Sequence, residues 1–335
     1  VNDVMTAVIA RDYGPPEQFA LAELPIPHPG PGQLQVRVAA ASLNPADLVL
    51  PGGDFRDTLE LPFPHVPGNN FAGTVTEVGP GVTGYAVGDE VFGLALPRVL
   101  RPMADPARPS LGTGMLARYA VVEADTPLIA HRPSAVSTTQ AAALATAGLT
   151  ALALLAQAEV LPGERVLVVG AGGGVGTTLL PPLAAAGAHV IATGTAEETA
   201  LLRRLGATEV IDYRHADVPA VVRASHPDGV DAVLNLALPS DRLTGLGSTL
   251  RAGGRLLTIT FPPPGEDAAG RPDVTVTLVL DMAGRLATMR DVAEEAAAGR
   301  LRATVGRSYP FAEAVAACTD FARRHTTGKL VVTLD

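Results

Sequence analysis

Five glycines fall within the seven residues Gly170–Gly176, at the end of the unbroken apolar run Val166-Leu-Val-Val169. A backbone without side chains can turn tightly and approach a ligand closely, and the first N–H groups of a following helix suit an anion. The spacing reads as Gly170, Gly173, Gly176, or as Ala171-x-x-Gly174-Val175-Gly176; it is not a strict G-x-G-x-x-G, because Val175 stands at the last glycine position. The apolar run reads as a strand buried on both faces, as in a parallel sheet. Strand, glycine turn and helix together are the setting in which such a cluster holds a dinucleotide pyrophosphate. Gly172–Gly176 are expected to supply the backbone donors.

The elements that must position this turn follow from pattern. Residues 131–284 alternate strand and helix, with strands predicted at His189–Thr193, Glu209–Asp212, Val230–Asn235 and Arg255–Thr260. A helix over Ala196–Leu205 is closed by Gly206. This predicts a doubly wound parallel sheet. Pro181-Pro182 fall inside the helix after the cluster and predict a kink or a shortened helix. Residues 1–130 are rich in strand signals, at Ala7–Ala10, Phe19–Leu24, Gln33–Ala40, Ala72–Val78 and Asp89–Gly93, punctuated by proline and glycine, which fits a barrel-like β domain. A helix over 284–300, the stretch Leu301–Tyr309, a helix from Phe311 and a final strand Lys329–Thr333 are expected to return to that domain. The expected division is therefore 1–130 with 285–335, and 131–284.

The chain has 335 residues, a formal net charge of −9 and 47% hydrophobic residues. That length accommodates two domains with ample cores. The acidic balance argues against nucleic acid or an anionic membrane as partner. No amino-terminal stretch pairs a basic region with an apolar core, and we read no run of about 18 apolar residues, so a cytoplasmic location is expected. Cys318 is the only cysteine, which excludes an intramolecular disulfide and a multi-cysteine zinc site; its amphipathic surroundings predict a core position. Lys329 is the only lysine.

Several segments in fixed order carry a resemblance that spans nearly the whole chain: Ser42-Leu-Asn-Pro-Ala-Asp47, Pro67-Gly-Asn-Asn-Phe-Ala-Gly73, Val78-Gly-Pro-Gly-Val82, Val87-Gly-Asp-Glu-Val-Phe-Gly93, the Ala141–Ala151 stretch, Leu161-Pro-Gly-Glu-Arg-Val-Leu167, the glycine cluster, Leu205–Tyr213 and Gly328-Lys-Leu-Val-Val-Thr333. The chain resembles the medium-chain dehydrogenase/reductase superfamily, in its zinc-free quinone oxidoreductase branch, the zeta-crystallin-like enzymes. The resemblance implies an α/β fold, with a Rossmann cofactor domain plus a β-rich GroES-like catalytic domain. Zinc alcohol dehydrogenases of the superfamily hold their metal with a cysteine, a Gly-His-Glu segment and a second cysteine or acidic residue. Here Asn44 stands at the first cysteine and Gly68-Asn69-Asn70 at Gly-His-Glu. Neutral amides are poor zinc ligands, and His65, between prolines, reads as a packed residue. No metal is expected.

The activity the resemblance implies is hydride transfer from NADPH to a quinone or to the activated C=C of an enone or alkenal. The alternatives are an enoyl reductase of a biosynthetic intermediate, carrier-bound or polyketide-type, and a non-catalytic NADPH-binding protein. Asn44 and Thr150 are expected to line a catalytic cleft between the domains. Gly170, Ala171, Gly172, Gly173, Gly174, Val175, Gly176, Thr193, Thr195, Tyr213, Asn235 and Lys329 are expected to hold the cofactor. Thr193-Gly-Thr195 ends its strand without the acidic residue that would bind a ribose hydroxyl and repel a 2′-phosphate. Tyr213 and Arg214 follow the next strand, where NADPH-using relatives place phosphate contacts; against this, Glu198 stands where those relatives often carry lysine. NADPH is the reading we adopt. Relatives often have a tyrosine shortly after the Asn-Pro segment, but Leu48 stands there and no tyrosine follows until Tyr85, so water is the expected proton source. Val274–Leu280 reads as an edge strand through which relatives form a homodimer. Residues 94–113, rich in proline and arginine without a clean period, read as a long structureless loop; a lid over a bulky anionic substrate and a surface excursion both fit that composition.

Overall fold

The computed structural model describes residues 3–334. The chain divides into two compact units, Val1–Thr146 with Met282–Asp335, and Ala147–Asp281. The first unit opens with β1 (Val4–Ile9) and β2 (Ala20–Pro25), an antiparallel pair, followed by β3 (Gln33–Ser42) and helix α1 (Pro45–Gly52). Strands β4 (Asn70–Val78), β5 (Glu90–Leu94), β6 (Leu96–Pro97), β7 (Leu111–Gly112), β8 (Tyr119–Glu123) and β9 (Ile129–His131) join β3 in one sheet of order β6-β7-β8-β3-β4-β5-β9. Gly73 allows β3 and β4 to close at a bulge: a Cβ there would lie 2.2 Å from the Arg37 carbonyl oxygen. Phe71, Leu34, Val36 and Leu43 form the core of this unit, and Cys318 is buried among them as expected.

Residues 94–113 are ordered, against the expectation of a structureless loop. Leu96–Pro97 pairs in parallel with Leu111–Gly112, and between them Arg98–Met103 forms a 3₁₀ helix. Ser110 donates from Oγ to the Leu94 carbonyl at 2.5 Å, and Leu100 and Ala104 are buried. Two-residue strands and a 3₁₀ turn have no apolar period to display, which is why the segment reads as irregular.

Helix α2 (Thr138–Ala158) crosses the division between the units, which therefore lies inside a helix and not before it. By length and composition it is apolar enough to cross a membrane, contrary to our reading of the sequence, but 67% of that window is buried inside the protein, as in a core helix. The second unit continues with β10 (Arg165–Val169), α3 (Gly174–Ala185), β11 (His189–Gly194), α4 (Thr199–Arg204), β12 (Glu209–Asp212), α5 (Val218–Ser225), β13 (Val230–Asn235), α6 (Thr244–Gly247), β14 (Leu250–Thr258) and β15 (Thr275–Leu278). All pairings are parallel, in the order β12-β11-β10-β13-β14-β15, the doubly wound arrangement. Val166 and Val168 pack on one face with Leu154, Leu179 and Leu183, while Leu167 and Val169 pack on the other with Val222 and Leu246. The run is unbroken because both faces are covered. Helix α3 contains Pro181 and Pro182 and runs on to Ala185.

The chain then returns to the first unit. Helix α7 (Met289–Ala297) begins later than the 284–300 pattern suggested, because Thr288 and Asp291 form a capping box at its start. Then come β16 (Val305–Pro310), α8 (Ala314–Arg323) and β17 (Lys329–Thr333), which lies antiparallel to β3 with Val331 opposite Ser42.

His65 is buried, and its backbone bridges to Ala10 in both directions, at 2.8 and 2.9 Å. Burial pushes its imidazole down from 6.5 to about 4. The folded state therefore holds a neutral ring that the unfolded chain would protonate. The stability this contributes is complete above pH 6.5 and is lost as pH falls through about 4. Each tenfold change in proton affinity is worth about 1.4 kcal/mol, so the loss is on the order of 3 kcal/mol. Urea unfolding of wild type and His65→Leu across this range should show wild type losing that much more; parallel slopes would disprove it. The comparison is between proteins because burial raises Asp47, which contributes with opposite sign over part of the same range.

Candidate functional site

In the second unit, most of the residues expected to hold the cofactor gather where strands β10 to β13 end. Gly170 closes β10 with φ +86°, a conformation open to glycine, and a Cβ there would also meet Ala237 at 2.8 Å. The Gly170 N–H donates to Thr193 Oγ1 at 3.0 Å and the Ala171 N–H to the Thr193 carbonyl at 3.1 Å, so Thr193 ties the turn to β11. A Cβ on Gly172 would fall 2.4 Å from the Glu198 carboxylate, and one on Gly176 would fall 2.5 Å from Ala171 backbone. Gly176 is needed for packing within the turn, and Gly172 leaves the Glu198 carboxylate its place. Gly173, Gly174 and Val175 are half-buried, like Gly170, and lie at the N-terminus of α3. The first N–H groups of a helix have no carbonyl partner within it. An accessible glycine turn at this position fits a pyrophosphate.

Around the turn, Thr195 caps the short helical segment before α4, and its N–H donates to Glu198 Oε2 at 2.8 Å. The buried Glu198 thus serves the cap. Tyr213 follows β12 and is 44% exposed, and Arg214 beside it is exposed. Asn235 ends β13; its Nδ2 donates to the Leu238 carbonyl at 2.7 Å and to Thr258 Oγ1 at 2.9 Å, while its Oδ1 accepts the Leu238 N–H at 3.0 Å. Its amide shapes the turn after the strand. Thr150 lies half-buried on α2.

The first unit holds a separate polar cluster. Asn44 is the N-cap of α1, and its N–H donates to Asp47 Oδ2 at 2.7 Å. Lys329, expected among the cofactor residues, has its ammonium committed here: Nζ donates to the Leu43 carbonyl and to Asn44 Oδ1, both at 2.6 Å. An ammonium only donates, so it fixes which end of the Asn44 amide faces it. Asn44 Nδ2 and Asp47 Oδ1 are buried without a completed hydrogen bond. Burial pushes the Asp47 carboxyl up, against the Asn44 N–H, the Lys329 charge, the Asn69 N–H and the Asn44 side-chain amide, which lower it. Burial likewise pushes the Lys329 ammonium down, and Asp47 holds it up. Sequence reasoning missed Asp47 as part of this site, although Asn-x-x-Asp ahead of an apolar stretch is the pattern of a capping box.

Asn70 is engaged at both ends of its amide. Its Nδ2 donates to Ser42 Oγ at 3.0 Å, its Oδ1 accepts from Thr146 Oγ1 at 2.6 Å, and Ser42 Oγ donates to the Ala142 carbonyl at 2.7 Å. These residues do not fit a catalytic zinc. The Asn44 oxygen already faces a cation, the Asn70 oxygen is occupied, and neither is a thiolate or imidazole.

Residues 30–133 match the family described as "Alcohol dehydrogenase GroES-like domain" and residues 205–332 the one described as "Zinc-binding dehydrogenase". The chain is 31% identical over 330 residues to the chloroplast envelope quinone oxidoreductase homolog of Arabidopsis thaliana, covering 92% of each. It is 29% identical over 335 residues to an NADPH-dependent alkenal/one oxidoreductase of the same plant, covering 98% of this chain and 79% of the relative. The solved structure of the quinone oxidoreductase from Coxiella burnetii superposes with a TM-score of 0.84 at 28% identity, over 99% of this chain and 100% of that one. An accessible glycine turn on a doubly wound sheet, a GroES-like unit with asparagines in place of metal ligands, and this similarity along the chain lead to one conclusion: it is an oxidoreductase of the medium-chain dehydrogenase/reductase superfamily and belongs to the zinc-free quinone oxidoreductase branch.

Proposed function

We propose that the chain reduces a quinone, or the activated C=C of an enone or alkenal, with NADPH. The observation that carries this reading is Asn44, a buried amide whose oxygen is held by the Lys329 ammonium, which leaves Nδ2 as its donor end. NADPH, when bound, supplies the hydride. As a hydride reaches the carbon β to a carbonyl, negative charge develops on the carbonyl oxygen. An amide donor already held in place stabilises that charge without reorganising. Asn44 is that donor in our reading, Lys329 and Asp47 position it, and Thr150 is assigned to the same reaction. The proton comes from water.

Asn44→Ala should lower kcat on a quinone or enone roughly 10²–10³-fold, as loss of an oxyanion donor does. Lys329→Met should lower kcat in the same direction while leaving the NADPH dissociation constant unchanged, with thermal unfolding as the check on folding. If Lys329→Met weakens NADPH binding and spares kcat, the lysine is a cofactor residue and its positioning role is wrong.

Gly173–Val175 would cradle the pyrophosphate, with Tyr213 and Arg214 near the 2′-phosphate. NADPH is favoured over NADH because β11 ends in Thr193-Gly-Thr195 and because the Glu198 carboxylate is turned inward onto the Thr195 N–H. A valine side chain at the half-buried Gly174 should abolish NADPH binding with the fold retained, and wild type should bind NADPH more tightly than NADH. Fluorescence titration checks both; unchanged affinity in Gly174→Val would remove this placement.

Quaternary structure belongs to the same proposal. Among the described residues, β15 is last in the order of its sheet and pairs only with β14. Its outer edge offers free ladder groups to a second copy, so we assign a homodimer through Val274–Leu280. Val276→Pro should shift the protein toward monomer in light scattering; an unaltered dimer would place the interface elsewhere.

A further inference from the structure

Three chemically matched groups converge at the edge of the second unit's sheet where its strands begin. His189 opens β11, Glu209 opens β12, and His226 caps the end of α5. The register pairs Ile191 with Glu209, which puts His189 and Glu209 on one face as diagonal neighbours. Val222 of α5 packs with Ile191 on that face, so the helix brings His226 to the same place.

Both histidines present Nε2 to one carboxylate oxygen. His189 Nε2 lies 2.5 Å from Glu209 Oε1 and His226 Nε2 lies 3.1 Å from it. The His226 nitrogen is buried and completes no hydrogen bond there. All three ligand atoms lie within 4.8 Å of one another, and among the described residues this is the one such group of three. The other close histidine–carboxylate contacts, His28 with Glu77, His131 with Asp89 and His215 with Asp212, are simple pairs.

We propose that His189, Glu209 and His226 bind one zinc ion, at a site separate from the nucleotide turn. Two imidazoles and a carboxylate are a borderline donor set that suits zinc. A tetrahedral ion with bonds of about 2.1 Å needs ligand atoms roughly 3.4 Å apart, so a carboxylate shift of about 1 Å admits it. The His189 and Glu209 side chains are 37% and 36% exposed, which gives the ion a path in and leaves a fourth position for water. Bound there, zinc would tie β11, β12 and the end of α5 together. The glycine turn follows the opposite end of β10, so this ion takes no part in hydride transfer. The sequence led us to expect no metal, and it gives no metal-ligand spacing here, because the ligands come from three separate elements.

Full-length protein, stripped with a chelator and dialysed, should bind one equivalent of zinc chloride by calorimetry, in the micromolar range or tighter. Zinc should raise its thermal unfolding midpoint. His189→Ala and His226→Ala should each weaken binding by at least the roughly 10–100-fold that loss of an outer-shell partner costs. Co²⁺ added to wild type alone should give the strong visible bands of a four-coordinate ion, a readout independent of how the variants fold. Reductase activity should be the same with and without chelator. No saturable zinc binding, six-coordinate Co²⁺, or wild-type affinity in both histidine variants would each overturn the site.

Discussion

The ammonium of Lys329, buried in the first unit, must find acceptors there, and it finds them on the segment just before α1. A charged nitrogen removed from water is costly unless carbonyl or carboxylate groups replace its hydration. The Leu43 carbonyl and Asn44 Oδ1 do so, with Asp47 close enough to hold the charge up. The same contact joins the last strand of the chain to the third, where Val331 pairs with Ser42. It also decides what Asn44 can be. With a cation on its oxygen the residue cannot hold a second one, and its amide nitrogen is left facing the other way. Strand closure, amide orientation and unsuitability for metal are consequences of one interaction.

The glycine turn shows a comparable economy, since three of its five glycines are set by different local constraints. Gly170 needs a left-handed backbone, Gly172 makes room for the Glu198 carboxylate, and Gly176 lets helix α3 start directly against Ala171. Gly173, Gly174 and Val175 stay half-buried at the start of α3, as does Gly170 at the end of β10. A motif read from sequence as uniformly ligand-binding is therefore mostly a device for bringing a helix N-terminus close to a strand. That geometry is what a phosphate needs, so the inference to an anion site survives although the individual glycines do not share one role.

The parallel sheet was legible because both of its faces are covered: Val166-Leu-Val-Val169 carries apolar side chains to each side, and a buried strand can show no alternation. The capping box at Thr288 and Asp291 was legible in principle, and overlooking it put the start of α7 too early. Residues 96–112 were opaque because two-residue strands and a 3₁₀ turn leave no period. The Lys329–Asn44 contact joins residues from opposite ends of the chain, and no spacing rule reaches that far; only the fold brings them together. Asn235 was singled out by position, yet its amide is spent on its own turn, a distinction that depends on hydrogen-bond geometry and not on residue type.

The two edges of the second unit's sheet differ electrostatically for a reason built into the fold. Each crossover helix runs back against the strands, so helix N-termini lie where strands end and helix C-termini where strands begin. The positive end of α3 thus meets the glycine turn, at the edge suited to an anion. The negative end of α5 meets His226, at the edge suited to a cation. A phosphate on one edge and a divalent ion on the other would each sit with the local helix dipole. His189, Glu209 and His226 are placed where that dipole and the carboxylate act in the same direction, so the charge of a bound cation would be met from both the strand and the helix side.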